Sequence, residues 1–153
     1  MSGAALAHQN LDSDAFLVAY RSTFFGVLSW TQLDELWRLV LAESSASWYV
    51  YAVGEIPPIS VANSSELGVF IRKLDSLLRK EHQESYCGIV YADDLKHPSF
   101  IKIFDPHNLG STCGSSKIKP LPGWILSKLP PVDLPGAFPA PNNRRRWWQT
   151  LFN

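Results

Sequence analysis

Cysteine is scarce: the 153 residues hold two, Cys87 and Cys113. That excludes a disulfide-stapled scaffold and leaves both thiols free in a reducing setting. Net charge is missing as well, with 14 basic side chains against 14 acidic ones. No overall field draws such a chain to nucleic acid or to an anionic membrane, so no nucleic-acid partner is expected and membrane contact is not favoured. No apolar run approaches the roughly 20 residues of a membrane-spanning helix. Residues 1–8 lack the basic start and apolar stretch of a secretory signal, which makes the cytoplasm the expected location. The chain contains neither a Gly-x-Ser-x-Gly elbow nor a phosphate-binding loop, and no closely spaced pair of metal ligands. No cofactor and no metal are therefore expected.

What is present is enough apolar residue, 46% of the chain, to build a core and to argue against disorder over the whole length. Asp12 or Ser13 caps an expected first helix carrying Phe16, Leu17, Tyr20 and Phe24. Thr31 and Asp34 fit a capping box for a second helix, with Leu33, Leu36, Trp37, Val40 and Leu41 on one face and serines 44, 45 and 47 closing it. Asn63 with Glu66 opens a third, whose apolar face is Leu67, Phe70, Ile71, Leu74 and Leu78 and whose Asp75 and Arg79 stand four residues apart. Runs of aromatic and β-branched residues predict strands over 48–53, 86–92, 100–104 and 124–129. The turn-rich 93–98 segment joins the second and third of these as an antiparallel hairpin. The expected fold is α+β: about three helices packed on a small, mostly antiparallel sheet of three to four strands.

The domain is expected to cover residues 1–129. Five prolines and Gly136 over 130–143 predict a proline-rich linker in stiff, extended polyproline geometry. Residues 144–153 then form a distinct Arg/Trp-rich segment.

Two stretches carry candidate chemistry. The first is the long loop over 105–116, which gathers Asp105, His107, Asn108, Gly110, Cys113 and Ser115. Loops of this length without regular structure are uncommon in small domains and are often functional. A catalytic reading makes Cys113 a nucleophile with His107, or else His97, as its base. The plainer reading is turn chemistry, with Asp-Pro and Asn-x-Gly as ordinary turn formers. A metal shared by His82, Cys87, His107 and Cys113 has suitable ligand types but unsuitable spacing.

The second stretch is the C-terminal segment, where Arg144, Arg145 and Arg146 precede Trp147, Trp148, Leu151 and Phe152. Set those arginines aside and the remainder carries more acid than base. Trp and Arg dominate binding hot spots, and each large apolar side chain left in water forgoes roughly 1.5–3 kcal/mol of burial. Something is expected to cover them: the chain's own domain, a second copy, or a protein partner ahead of a membrane interface or a nucleic acid.

The segment Lys102-Ile103-Phe104-Asp105-Pro106-His107-Asn108-Leu109-Gly110, followed by Cys113-Gly114-Ser115 and Pro122-Gly123-Trp124-Ile125-Leu126-Ser127, resembles small uncharacterised bacterial proteins. The resemblance brings with it no activity, cofactor or catalytic residue. The reading of the residues is a non-enzymatic binding or accessory protein that uses the Arg/Trp segment to contact a protein partner or a second subunit. The alternatives are a small enzyme using Cys113 and a small-ligand-binding module.

Overall fold

The computed structural model describes residues 15–43, 47–108 and 120–138. Its strands are β1 (Phe25–Gly26), β2 (Tyr49–Ala52), β3 (Val90–Ala92), β4 (Phe100–Ile103) and β5 (Trp124–Ser127). They form one sheet in the order β1-β3-β4-β5-β2, with every pair antiparallel. The helical segments are α1 over 15–20, α2 (Trp30–Ala42), α3 (Ser64–Glu81) and the short α4 (Leu134–Ala137). The class is α+β as the sequence predicts, with five strands and four helical segments among the described residues. β1 and α4 account for the extra elements.

Successive side chains of a strand face opposite ways, and here both faces are covered. Val90, Ala92, Ile101, Ile103 and Leu126 face Leu33, Leu36, Trp37 and Val40 of α2 and Leu67, Ile71, Leu74 and Leu78 of α3, all buried in one cluster. Tyr51, Phe100 and Ile125 face the other way and meet Phe16 of α1 and Leu134 of α4 in a second, smaller cluster. β4, the third of the strands predicted from the sequence, is apolar on both sides. Its one polar residue, Lys102, lies at the margin of the smaller core. Its ammonium donates to the Tyr20 carbonyl at the end of α1 (2.7 Å) and stands 4.0 Å from the ring centres of Tyr20 and Phe24. A cation at a helix C-terminus is favoured by the carbonyls exposed there.

The helix starts follow side-chain capping. Asn63 and Glu66 form the predicted box on α3, each side chain accepting from the other's backbone N–H. For α2 the box is Ser29 with Gln32 rather than Thr31 with Asp34. Gln32 Oε1 accepts from the N–H groups of Leu28 and Ser29, which frees Asp34 for another role. Arg79 donates to Asp34 (2.6 Å) and to Asp75, and Asp75 also accepts from the indole N–H of Trp37 (3.1 Å). The predicted Asp75–Arg79 pair is thus the centre of a clamp between α2 and α3. The second strand is shorter than the expected 86–92, because Gly88 sits at φ +70° and interrupts the extended backbone.

Within the segment expected to be extended polyproline, residues 134–138 pack on the domain instead. Leu134 is fully buried, Phe138 stacks on Tyr20 with ring centres 5.5 Å apart, and residues 134–137 form a helical turn. Pro135 lies in the first turn, where a missing N–H costs nothing. Asp133 makes no side-chain cap. Instead the phenol oxygen of Tyr51 on β2 accepts from the Leu134 N–H (3.1 Å).

Tyr51→Phe should therefore leave that N–H buried and unpaired, at a cost of about 1–3 kcal/mol. Denaturant titration would read the loss, and hydrogen exchange at Ala137 and Phe138 would show that α4 loosens. Burial holds the Tyr51 proton above the ordinary phenol value of 10.0. Its stabilising contribution is fully present below that pH and falls as pH rises through the folded value. The substitution should reduce the alkaline loss of stability. Unchanged stability and exchange would show that α4 does not depend on Tyr51.

Candidate functional site

The 105–116 loop leaves the sheet at the end of β4. Residues Pro106–Asn108 form a 3₁₀ turn, started by Asp105 Oδ1 accepting from the His107 N–H (3.0 Å). Gly110, Cys113 and Ser115, and the side chain of Asn108, lie outside the described residues. His107 is turned to the C-terminal end of α3, where its Nε2 meets Glu81 Oε2 at 3.1 Å. The imidazole is 67% exposed, so this is a surface pair of at most about 1 kcal/mol. No sequence spacing connects Glu81 to His107; the contact joins the end of α3 to the start of the loop. His97 lies at the opposite end of β4 from this loop's point of departure, in the hairpin turn. Its N–H and that of Lys96 donate to Asp94. Asp93 accepts from the Ser99 and Phe100 N–H groups, so the Asp93–Asp94 pair serves the turn.

The remaining metal candidates do not converge. Cys87 is fully buried in the larger core, and burial pushes its thiol above the ordinary range. His82 caps the end of α3 through its backbone N–H and packs its ring between Trp30 and Tyr86. Among the described residues, no three His, Cys, Asp or Glu side chains come together as ligands.

A second site is one the motifs do not mark. β2 is an outer strand, and no strand pairs with its far edge among the described residues. Gly54, at φ +102°, turns the chain out of β2 into the loop 55–62. That loop returns along the open edge, where the Ala62 N–H donates to the Trp48 carbonyl (2.9 Å). Ile56 and Ile59, bracketing Pro57 and Pro58, are 90% and 95% exposed. Between loop and helix lies an open cleft of about 310 Å³ lined by Val50, Ser60, Val61, Ala62, Glu66 and Phe70. Phe70, expected on the buried face of α3, is half-buried and forms one wall. The available signal was the Ile-Pro-Pro-Ile run: two large aliphatic residues beside prolines that cannot join a ladder.

The Arg/Trp residues Arg144, Arg145, Arg146, Trp147, Trp148, Leu151 and Phe152 all lie outside the described residues. No helix among the described residues is long and apolar enough to cross a membrane.

Thiol labelling tests the first site. In the native protein Cys87 should resist alkylation at neutral pH and react only as the chain unfolds. Labelling of Cys87 at the rate of a free thiol would contradict its place in the core. Rapid labelling of Cys113, slowed by His107→Ala or Glu81→Gln, is what the nucleophile reading requires.

No family model, no curated protein and no solved structure matches the chain.

Proposed function

We propose that the chain is a binding or accessory protein, not an enzyme, which contacts a protein partner or a second subunit through residues 144–153. The reading is supported most directly by the 55–62 loop. Two isoleucines held almost wholly in water on either side of Pro57 and Pro58, beside an open strand edge and a cleft, form an apolar surface of the kind that is covered in use. The C-terminal segment adds the residue types that anchor interfaces, two tryptophans and three arginines. Both features favour macromolecular contact over chemistry on a small substrate. The cytoplasm is the proposed location.

Because α4 and Phe138 pack on the domain, at most residues 139–143 separate the packed body from the segment. A short tether restricts the volume that the segment explores and raises its effective concentration near the body.

The alternative with a specific observation behind it is the Cys113 enzyme, supported by the Glu81–His107 pair. The labelling experiment above separates it from the binding reading.

Deleting residues 142–153 tests the proposal. Light scattering coupled to size exclusion, together with affinity capture from the native host, should show a loss of self-association or of specific co-purifying proteins. Replacing Trp147 and Trp148 by Ala should reproduce most of the loss. An unchanged mass and an unchanged set of partners would overturn the reading.

A further inference from the structure

The C-terminal segment and the β2-edge cleft fit each other, and we infer that residues 144–153 dock in that cleft on their own chain, seating an indole against Val50, Val61, Ala62 and Phe70. The inference rests on reading the segment as a contact element, although it requires no outside partner.

Three observations lead to it. The first is backbone geometry. In an antiparallel strand the hydrogen-bonding groups of successive residues point alternately to either neighbour. The Trp48 carbonyl points outward, to Ala62, so Val50, two residues on, also presents its N–H and C=O to the open edge. An extended segment can pair there while its side chains reach the cleft, as in strand addition. The second is size. About 310 Å³ of open space, with Val50, Val61, Ala62 and Phe70 beside the polar Ser60 and Glu66, suits a single large amphipathic aromatic side chain and stands at the low end of the ~300–1,000 Å³ of small-molecule sites.

The third is charge. Glu66 lines the cleft and Glu55 begins the loop, while the loop and lining carry no basic residue; Lys73 lies two turns of α3 beyond Glu66. A second copy meeting the first edge to edge about Val50 would bring like carboxylates together. Residues 144–146 instead bring three arginines and no acid.

Reach decides between the chain's own segment and another's. Phe138 stacks on Tyr20, whose ring lies 6.4 Å from that of Phe100 on β4. From β4 to β2 is two strand spacings, about 10 Å, and crossing from one packed layer to the other side of the sheet adds about 10 Å. Residues 139–146 span up to roughly 26 Å when extended. That length exceeds the sum of these two distances, as docking on the chain's own body requires, and a short connection favours such a site over one on another molecule.

The experiment uses the full chain with Trp148→p-benzoylphenylalanine, irradiated as a mixture of ¹⁵N-labelled and unlabelled protein and mapped by mass spectrometry. The expected result is cross-links to residues 50 and 60–70, within one isotopic species, and an at least fivefold lower yield when Val61→Lys is added. Val61 is a partly exposed loop residue, so that variant is expected to fold. Phe70→Ala, checked for folding by circular dichroism, serves as a second variant. Cross-links elsewhere on the body, mixed-isotope products, or no cross-links would each overturn the inference. If docking fails while deletion of 142–153 still removes partners, only the assignment of the cleft falls. If docking succeeds while deletion changes no partner, the binding function falls and the segment is internal packing.

Discussion

β4 is apolar on both sides, and the rest of the chain is arranged to keep both sides dry. Ile101 and Ile103 are fully buried on one face, and Phe100 almost so on the other. A sheet with one wet face would leave Phe100, Ile125 and Tyr51 in water, each forgoing roughly 1.5–3 kcal/mol. The long amphipathic helices α2 and α3 cover one face and are locked together by the Asp34–Arg79–Asp75–Trp37 clamp. Among the described residues, the other face has no long helix. It is closed by a helical segment from each end of the described chain, α1 and α4, which meet where Phe138 stacks on Tyr20.

That arrangement gives α4 a role that its length would not suggest. A four-residue helix has no stability of its own, since nucleation is unfavourable and it propagates through less than two turns. It persists because Leu134 fills the smaller core and because Tyr51, on the outer strand, supplies the missing cap. Packing of the smaller core and the placement of the last residues before the Arg/Trp segment are therefore one event. The domain does not stop at β5 and release its tail; it carries the chain across the second face first.

The legible parts of the sequence were those governed by local rules. The α3 box and heptad-like face, the Asp75–Arg79 spacing and the 93–99 hairpin follow from side chains a few residues apart, and they form as expected. Where two local rules competed, spacing alone chose wrongly: Thr31–Asp34 and Ser29–Gln32 both fit a box, and Arg79 on α3 recruits Asp34 away. β1 is two residues long and exists only because β3 is beside it. α4 was hidden by prolines whose breaking effect vanishes in a first turn. Of the candidate site, His107 was legible as a chemical group, but Glu81 was not, because no periodicity links the end of α3 to a loop after β4. The exposure of Ile56 and Ile59 was not legible, because exposure of an aliphatic residue depends on where the loop is carried by the fold and not on its neighbours in sequence.

The two outer strands differ in a way that bears on function. Exposed ladder edges invite pairing, and proteins blunt them with short strands, prolines or covering loops. β1 is blunted by being two residues long. β2 is twice that length, and among the described residues its outer edge is met by the Ala62 N–H at the Trp48 carbonyl and the Glu55 N–H at the Ala52 carbonyl, with Val50 between them. Prolines 57 and 58 stiffen the loop and prevent it from pairing itself, so it stands off the edge instead of closing it. Holding Ile56 and Ile59 in water is costly, and the same residues on a flexible loop could fold inward. Exposed isoleucines beside an unpaired strand edge form the kind of surface that is covered in use, and it is this surface that the proposed docking of the Arg/Trp segment would cover.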